Sequence, residues 1–154
     1  MGYYVRGHGQ ITIKSSSVEQ AYQALCDLNN HDEMKRGGSY GGLNDGSKPR
    51  PDGLTYHPGR WFSWMDANYP ETCPDLWAVL SQVGFEMGLN ENGELIEISL
   101  NYDEKSGQED LFLEALAPFC VSGSIEWSGE DGEGWLNEFT DGTMTTKTAR
   151  IVYE

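Results

Sequence analysis

The sequence predicts an α+β fold, an antiparallel sheet of about six strands with two to three helices packed on one face. Three observations predict it. Several short runs alternate apolar and polar residues, the period of two that a half-buried strand requires. Other runs space their apolar residues three and four apart, as a helix does. Turn signals at Asn92-Gly93, across Gly129 to Gly134 and at Asp141-Gly142 separate the alternating runs.

Residues 3–14 read as the first strand, because Ile11 and Ile13 alternate with polar neighbours. Gly7 and Gly9 interrupt that strand and suggest a bulge. A helix is expected over 18–29. Ser17 and Gln20 have capping-box spacing, and Val18, Ala21, Tyr22 and Leu25 follow on one face. A second helix should start at Thr72, as the cap, with Pro74 and Asp75 in its first turn. Leu76, Val79, Leu80 and Val83 would be its buried stripe and Gly84 its stop. The period then changes. Residues 85–89 and 94–102 form a hairpin, and a short helix over 108–117 stops before Pro118. Strands over 120–128, 134–140 and 143–153 complete the sheet.

At 154 residues, 38% hydrophobic and 12% aromatic, the chain fits one domain (1–154) with a real core. The stretch 35–60 stands apart. It holds seven Gly, three Pro, five of the ten basic residues and only two acids. It reads as a Gly/Pro-rich basic insertion between two helices, followed by a short strand near Trp61-Phe62. Trp61, Trp64, Met65 and Tyr69 make an aromatic group just after it, better suited to core packing than to binding.

Charge is unevenly distributed. Seven Lys/Arg and six Asp/Glu precede Trp61, whereas three Lys/Arg and nineteen Asp/Glu follow Arg60, for a net −15. Such a chain is repelled by nucleic-acid phosphates and by anionic membranes. The three cysteines are widely spaced and odd in number, which argues against a disulfide framework and for a reducing compartment. The N-terminus has no apolar signal core, and no run is long enough to span a bilayer, so a cytoplasmic location is expected.

No catalytic motif stands out. His31-Asp32-Glu33 gathers potential metal ligands, but adjacent residues converge poorly on one ion, so no metal is expected. Cys73, early in a helix, is the best-placed nucleophile, and any of His8, His31 and His57 could supply its base through the fold, but a plain helix-start residue is the favoured reading. Gly37 to Gly42 lacks the Gly-Lys-Ser/Thr ending of a phosphate loop. Aligning a calcium loop on Gly93 or on Gly132 puts Gly88 or Trp127 where its first acid belongs. No cofactor is expected.

Strand phase carries the functional expectation. Ile96 and Ile98 flank Glu97, Ile125 and Trp127 flank Glu126, and Glu138 precedes Phe139. If the apolar members face the helices, the carboxylates point to the open face. That face, with Glu94, Glu97, Glu126, Glu138 and the Glu130/Asp131/Glu133 turn, would dock on a basic protein partner. Trp127 or Trp135 would add affinity if exposed. In the alternative, a small enzyme or anion-binding protein, Arg50, His57 and Arg60 of the basic stretch would grip an anion.

The stretch from Gly84 to Tyr153 resembles a module of small bacterial and phage proteins. The residues that carry it are Asn92-Gly93, Ala117-Pro118-Phe119, the run Gly123 to Trp127, the run Gly129 to Gly132, Trp135, Phe139 and Asp141-Gly142. These are turn and core residues, so the resemblance implies a fold and transfers no catalytic residue. In composition the chain is also similar to acidic phage anti-defence inhibitors of the anti-CRISPR and anti-restriction type. That similarity implies a non-enzymatic inhibitor of a host nucleic-acid-binding enzyme. A bacterial immunity protein would have the same composition.

Overall fold

The computed structural model describes residues 3–37, 59–105 and 107–148. Its centre is a six-stranded antiparallel sheet in the order β2-β3-β1-β4-β5-β6. The strands are β1 (Tyr4–Lys14), β2 (Glu86–Asn92), β3 (Leu95–Lys105), β4 (Cys120–Gly129), β5 (Gly134–Thr140) and β6 (Thr143–Thr148). Helices α1 (Val18–Leu28), α3 (Leu76–Val83) and α4 (Glu109–Leu116) cover one face, joined by the single-turn helix α2 (Tyr69–Thr72). The α+β expectation is met.

Alternation sets which face each strand residue occupies. Ile11, Ile13, Ile96, Ile98, Leu100, Tyr102, Ile125, Trp127 and Phe139 point toward the helices and are at most 5% exposed. They form one cluster with Leu25, Leu76, Leu80, Phe112 and Leu116. The β2–β3 turn is the pair Gly93-Glu94, with φ of +66° at Gly93. The β5–β6 turn is Asp141-Gly142, where both residues have positive φ, the mirror-image turn that matches strand twist.

Several local expectations are corrected. Gly7 and Gly9 do not form a bulge; the register shift between β1 and β4 falls at Thr12/Ile13. Both glycines are needed for close approach. A Cβ at Gly7 would sit 2.6 Å from the Trp127 ring, and one at Gly9 would overlap the Ser124 carbonyl oxygen. The Ser17 capping box is not made: residues 15–17 form a 3-10 turn that runs into α1 without a side-chain cap. Thr72 closes α2, and the cap of α3 is Asp75, whose carboxylate accepts from Ala78 N–H at 2.8 Å. Trp61 and Phe62 lie in a turn rather than a strand. They are buried against Phe112. Residues 149–153, assigned to the last strand, and 38–58 of the basic stretch lie outside the described residues.

Among the described residues no helix is long and apolar enough to cross a membrane. The cysteines Cys26, Cys73 and Cys120 are free thiols in the interior. Burial pushes all three thiols up, Cys120 to about 12. Cys73 is therefore a protonated core residue, unlike an activated nucleophile.

Candidate functional site

Among the described residues no helix covers the second face of the sheet, and the strand register defines that face. One row crosses it as Glu86, Asn101, His8, Glu126, Leu136 and Lys147, and the next as Gly88, Ser99, Gln10, Ser124, Glu138 and Thr145. Glu97, Glu126 and Glu138 all lie on this face, where strand phase puts them. The face is nevertheless mixed rather than acidic. Its carboxylates Glu86, Glu97, Asp103, Glu126 and Glu138 share it with Arg6, His8, Lys14, Lys105 and Lys147.

Most of those carboxylates have partners. Arg6 Nε lies 3.5 Å from Asp103 Oδ1, His8 Nε2 lies 3.3 Å from Glu126 Oε2, and Lys147 pairs with Glu138. Glu97 Oε2 accepts from Gln10 Nε2 at 3.3 Å and from Asn90 Nδ2 at 3.4 Å. The Arg6–Asp103 and His8–Glu126 side chains are 66–78% exposed, so the pairs order the surface and add little stability. A shallow trough of about 650 Å³ runs between His8, Gln10, Ser122, Ser124 and Glu126. Its lining is amide, hydroxyl and charged.

The seven candidate carboxylates do not form one patch. Glu94 sits beside Ser15, whose N–H donates to the Glu94 carbonyl at 2.8 Å, at the C-terminal end of β1. Glu130, Asp131 and Glu133 lie at the N-terminal end, where Asp131 N–H donates to Tyr3 Oη at 3.2 Å. The two ends are roughly 30 Å apart along the strand. Negative charge gathers at the second end. There the exposed Glu130, Asp131 and Glu133 of the β4–β5 turn adjoin Glu126 on β4 and Asp103 on β3. Arg6 lies among them, lining the same surface pocket as Asp103 and Glu130. Asp103 was missed because β3 was expected to stop at Tyr102; the period-two alternation continues through it and could have found it.

Trp127 does not serve as an anchor on the open face. It is buried on the helix side, 4% exposed, and donates from Nε1 to Asn137 Oδ1 at 2.7 Å. Trp135 is half-buried beside it, the two indoles parallel within 6° and 6.0 Å between centroids. Trp61, Met65 and Tyr69 are core residues, whereas Trp64 is 40% exposed.

Of the basic-loop candidates, Arg50 and His57 lie outside the described residues. Arg60 is half-buried, its guanidinium reaching the Ser63 carbonyl at 3.5 Å while the buried Nε has no hydrogen-bond partner among the described residues. His31 Nδ1 meets Glu33 Oε1 at 3.3 Å. Among the described residues no group of three or more His, Cys, Asp or Glu could hold a metal ion.

No protein-family model, curated protein or solved structure matches this chain.

Proposed function

We propose that this protein is a non-enzymatic interaction protein whose acidic β4–β5 end docks on a basic groove of a nucleic-acid-handling partner. Carboxylates would stand where phosphates otherwise bind, raising the association rate and blocking nucleic acid. The observation that carries this reading is the exposed Glu130/Asp131/Glu133 turn, continuous with Glu126 and Asp103 at the same end of the sheet. Glu138, level with Gln10, extends the surface toward the sheet centre, whereas Glu97, level with Thr12, lies toward the opposite end. Glu94, at the far end, would lie at its margin or beyond it. The overall −15 charge favours a protein partner over nucleic acid. An inhibitor of a host defence enzyme, of the anti-CRISPR or anti-restriction type, is the biological role this docking fits. A bacterial immunity protein would dock by the same physics, and the identity of the captured partner separates the two.

The test is affinity capture from lysate at low and at high salt, with the wild type and with E130K/D131K/E133K. A nucleic-acid enzyme retained at low salt, released at high salt and lost from the triple variant supports the reading. Equal retention by the variant overturns it.

One observation favours a second reading, an anion-binding protein. Among the described residues buried Arg60 Nε has no hydrogen-bond partner, and a buried guanidinium nitrogen left unpaired is costly unless something accepts from it. Thermal stabilisation by phosphate or nucleotides, abolished in Arg60→Ala, would support that reading over the first.

A further inference from the structure

On the helix side of the sheet, immediately behind the acidic turn, a cleft of about 230 Å³ opens between the start of α4 and strands β4 and β5. Its walls are Glu109, Asp110, Leu113, Trp127, Trp135 and Asn137. The position is built rather than left over. Trp127 and Trp135 are directly opposed in the β4–β5 ladder, and their indoles stack. Asn137 Oδ1 fixes the Trp127 ring, and Asn137 Nδ2 donates to Thr146 Oγ1 at 3.0 Å, tying the platform to β6. The Glu109 carboxylate, 6% exposed, accepts from Gly107 N–H at 2.8 Å and so is held at the cleft's edge.

We propose that this cleft receives an arginine side chain from the basic partner, its guanidinium laid on the Trp135 ring and facing the Asp110 carboxylate. This deepens the docking reading and rests on it for the partner. A rigid indole wall with carboxylates at its rim favours a planar cation with an apolar stem. Trp gives the strongest cation–π surface, and arginine stacks on rings as the ammonium of lysine does not. The N-terminus of α4 carries about half a positive charge, which opposes a cation. The Asp110 carboxylate, exposed in the first turn, puts negative charge at the same place and outweighs that half charge. The cleft and the Glu130/Asp131/Glu133 turn meet at Gly134-Trp135, so one partner surface can engage both.

The experiment needs no identified partner. The indole N–H signals of the full chain are followed by NMR during titration with capped arginine, capped lysine and capped citrulline, the neutral isostere. Trp135→Phe assigns the Trp135 signal. The expected result is a saturable shift of the Trp135 signal with arginine and none with citrulline. Asp110→Asn, at an exposed position, should weaken binding about fivefold, the loss expected for one such charge contact. A thermal melt unchanged from wild type confirms that this variant is folded. The absence of a saturable shift, an equal shift with citrulline, or unaltered affinity in Asp110→Asn would overturn the site. An equal shift with capped lysine would overturn the choice of guanidinium. None of these results depends on the triple turn variant, so the cleft and the docking reading fail separately.

Discussion

Trp127 Nε1 and Asn137 Oδ1 are 2.7 Å apart in the interior, a buried polar pair joining β4 to β5 beneath α4. Asn137 is 3% exposed and Trp127 4%. A buried donor that loses its acceptor incurs its full desolvation cost. Asn137→Ala leaves the indole N–H unpaired and opens space beside it, so it should destabilise by about 2–4 kcal/mol. Trp127→Phe removes the donor but leaves Asn137 Oδ1 stranded. Urea unfolding of the two single variants and the double variant closes the cycle. The double variant should cost clearly less than the sum of the singles, because each single leaves a buried partner that the double removes.

At Gly9 the β1–β4 contact is tested through the backbone. An added Cβ would run into the Ser124 carbonyl oxygen, a main-chain atom fixed by the ladder. Gly9→Ala should therefore cost several kcal/mol or prevent folding, read as loss of the cooperative unfolding transition. Gly93→Ala is the contrast. No atom lies within 4 Å of its Cβ, and only the positive φ resists it, so about 1 kcal/mol is expected.

These two positions show what was legible in the sequence. Period and turn residues placed every strand and three helices, because both follow from local alternation and from which residues tolerate positive φ. They could not show why Gly7 and Gly9 are there. That reason is a neighbour more than a hundred residues away, the Trp127 ring and the Ser124 carbonyl. The same limit applies to the helix starts. Ser17 has the right spacing for a cap but is taken up by a 3-10 turn, and Asp75 caps where Thr72 was expected. Strand phase correctly put Glu97, Glu126 and Glu138 on the open face. It could not show that Lys147 and His8 lie across the ladder beside them, since cross-strand partners depend on sheet order.

Alkaline pH should unfold the protein early. The Cys120 thiol is pushed by burial from its ordinary 9.0 up to about 12, and burial also raises the Tyr69 and Tyr102 hydroxyls. These groups stay protonated in the folded chain at pH values where the unfolded chain releases their protons. The folded state then binds more protons, so stability falls with rising pH. The stabilising effect of the neutral thiol is complete below about pH 9 and is lost between pH 9 and 12, at up to about 1.4 kcal/mol per pH unit. The tyrosines add to the loss above pH 10. Urea midpoints measured from pH 8 to 11 should fall steadily, with a shallower slope in Cys120→Ala. A flat profile would contradict the buried, protonated thiol.

The α3 cap offers a local check. Asp75 accepts from Ala78 N–H at 2.8 Å, so Asp75→Ala should cost about 1 kcal/mol. Thr72→Ala, at the site first expected to cap, should cost less. Thermal melts of the two variants decide between them.

Stability and docking should separate cleanly at Glu126. Its side chain is 69% exposed and its partner His8 68%, so the pair contributes at most about 1 kcal/mol. Glu126→Lys should therefore melt within a few degrees of wild type, since 1 kcal/mol shifts the midpoint of a domain this size by roughly 2–5 °C. Partner capture is a different matter. Glu126 lies on β4 beside the Glu130/Asp131/Glu133 turn, and reversing its charge opposes a basic groove directly. Capture at low salt should drop at least tenfold in Glu126→Lys and much less in Glu94→Lys, at the opposite end of β1. Equal losses from the two reversals would mean that net charge alone drives association. Loss from Glu94→Lys alone would move the docking surface to the other end of the sheet.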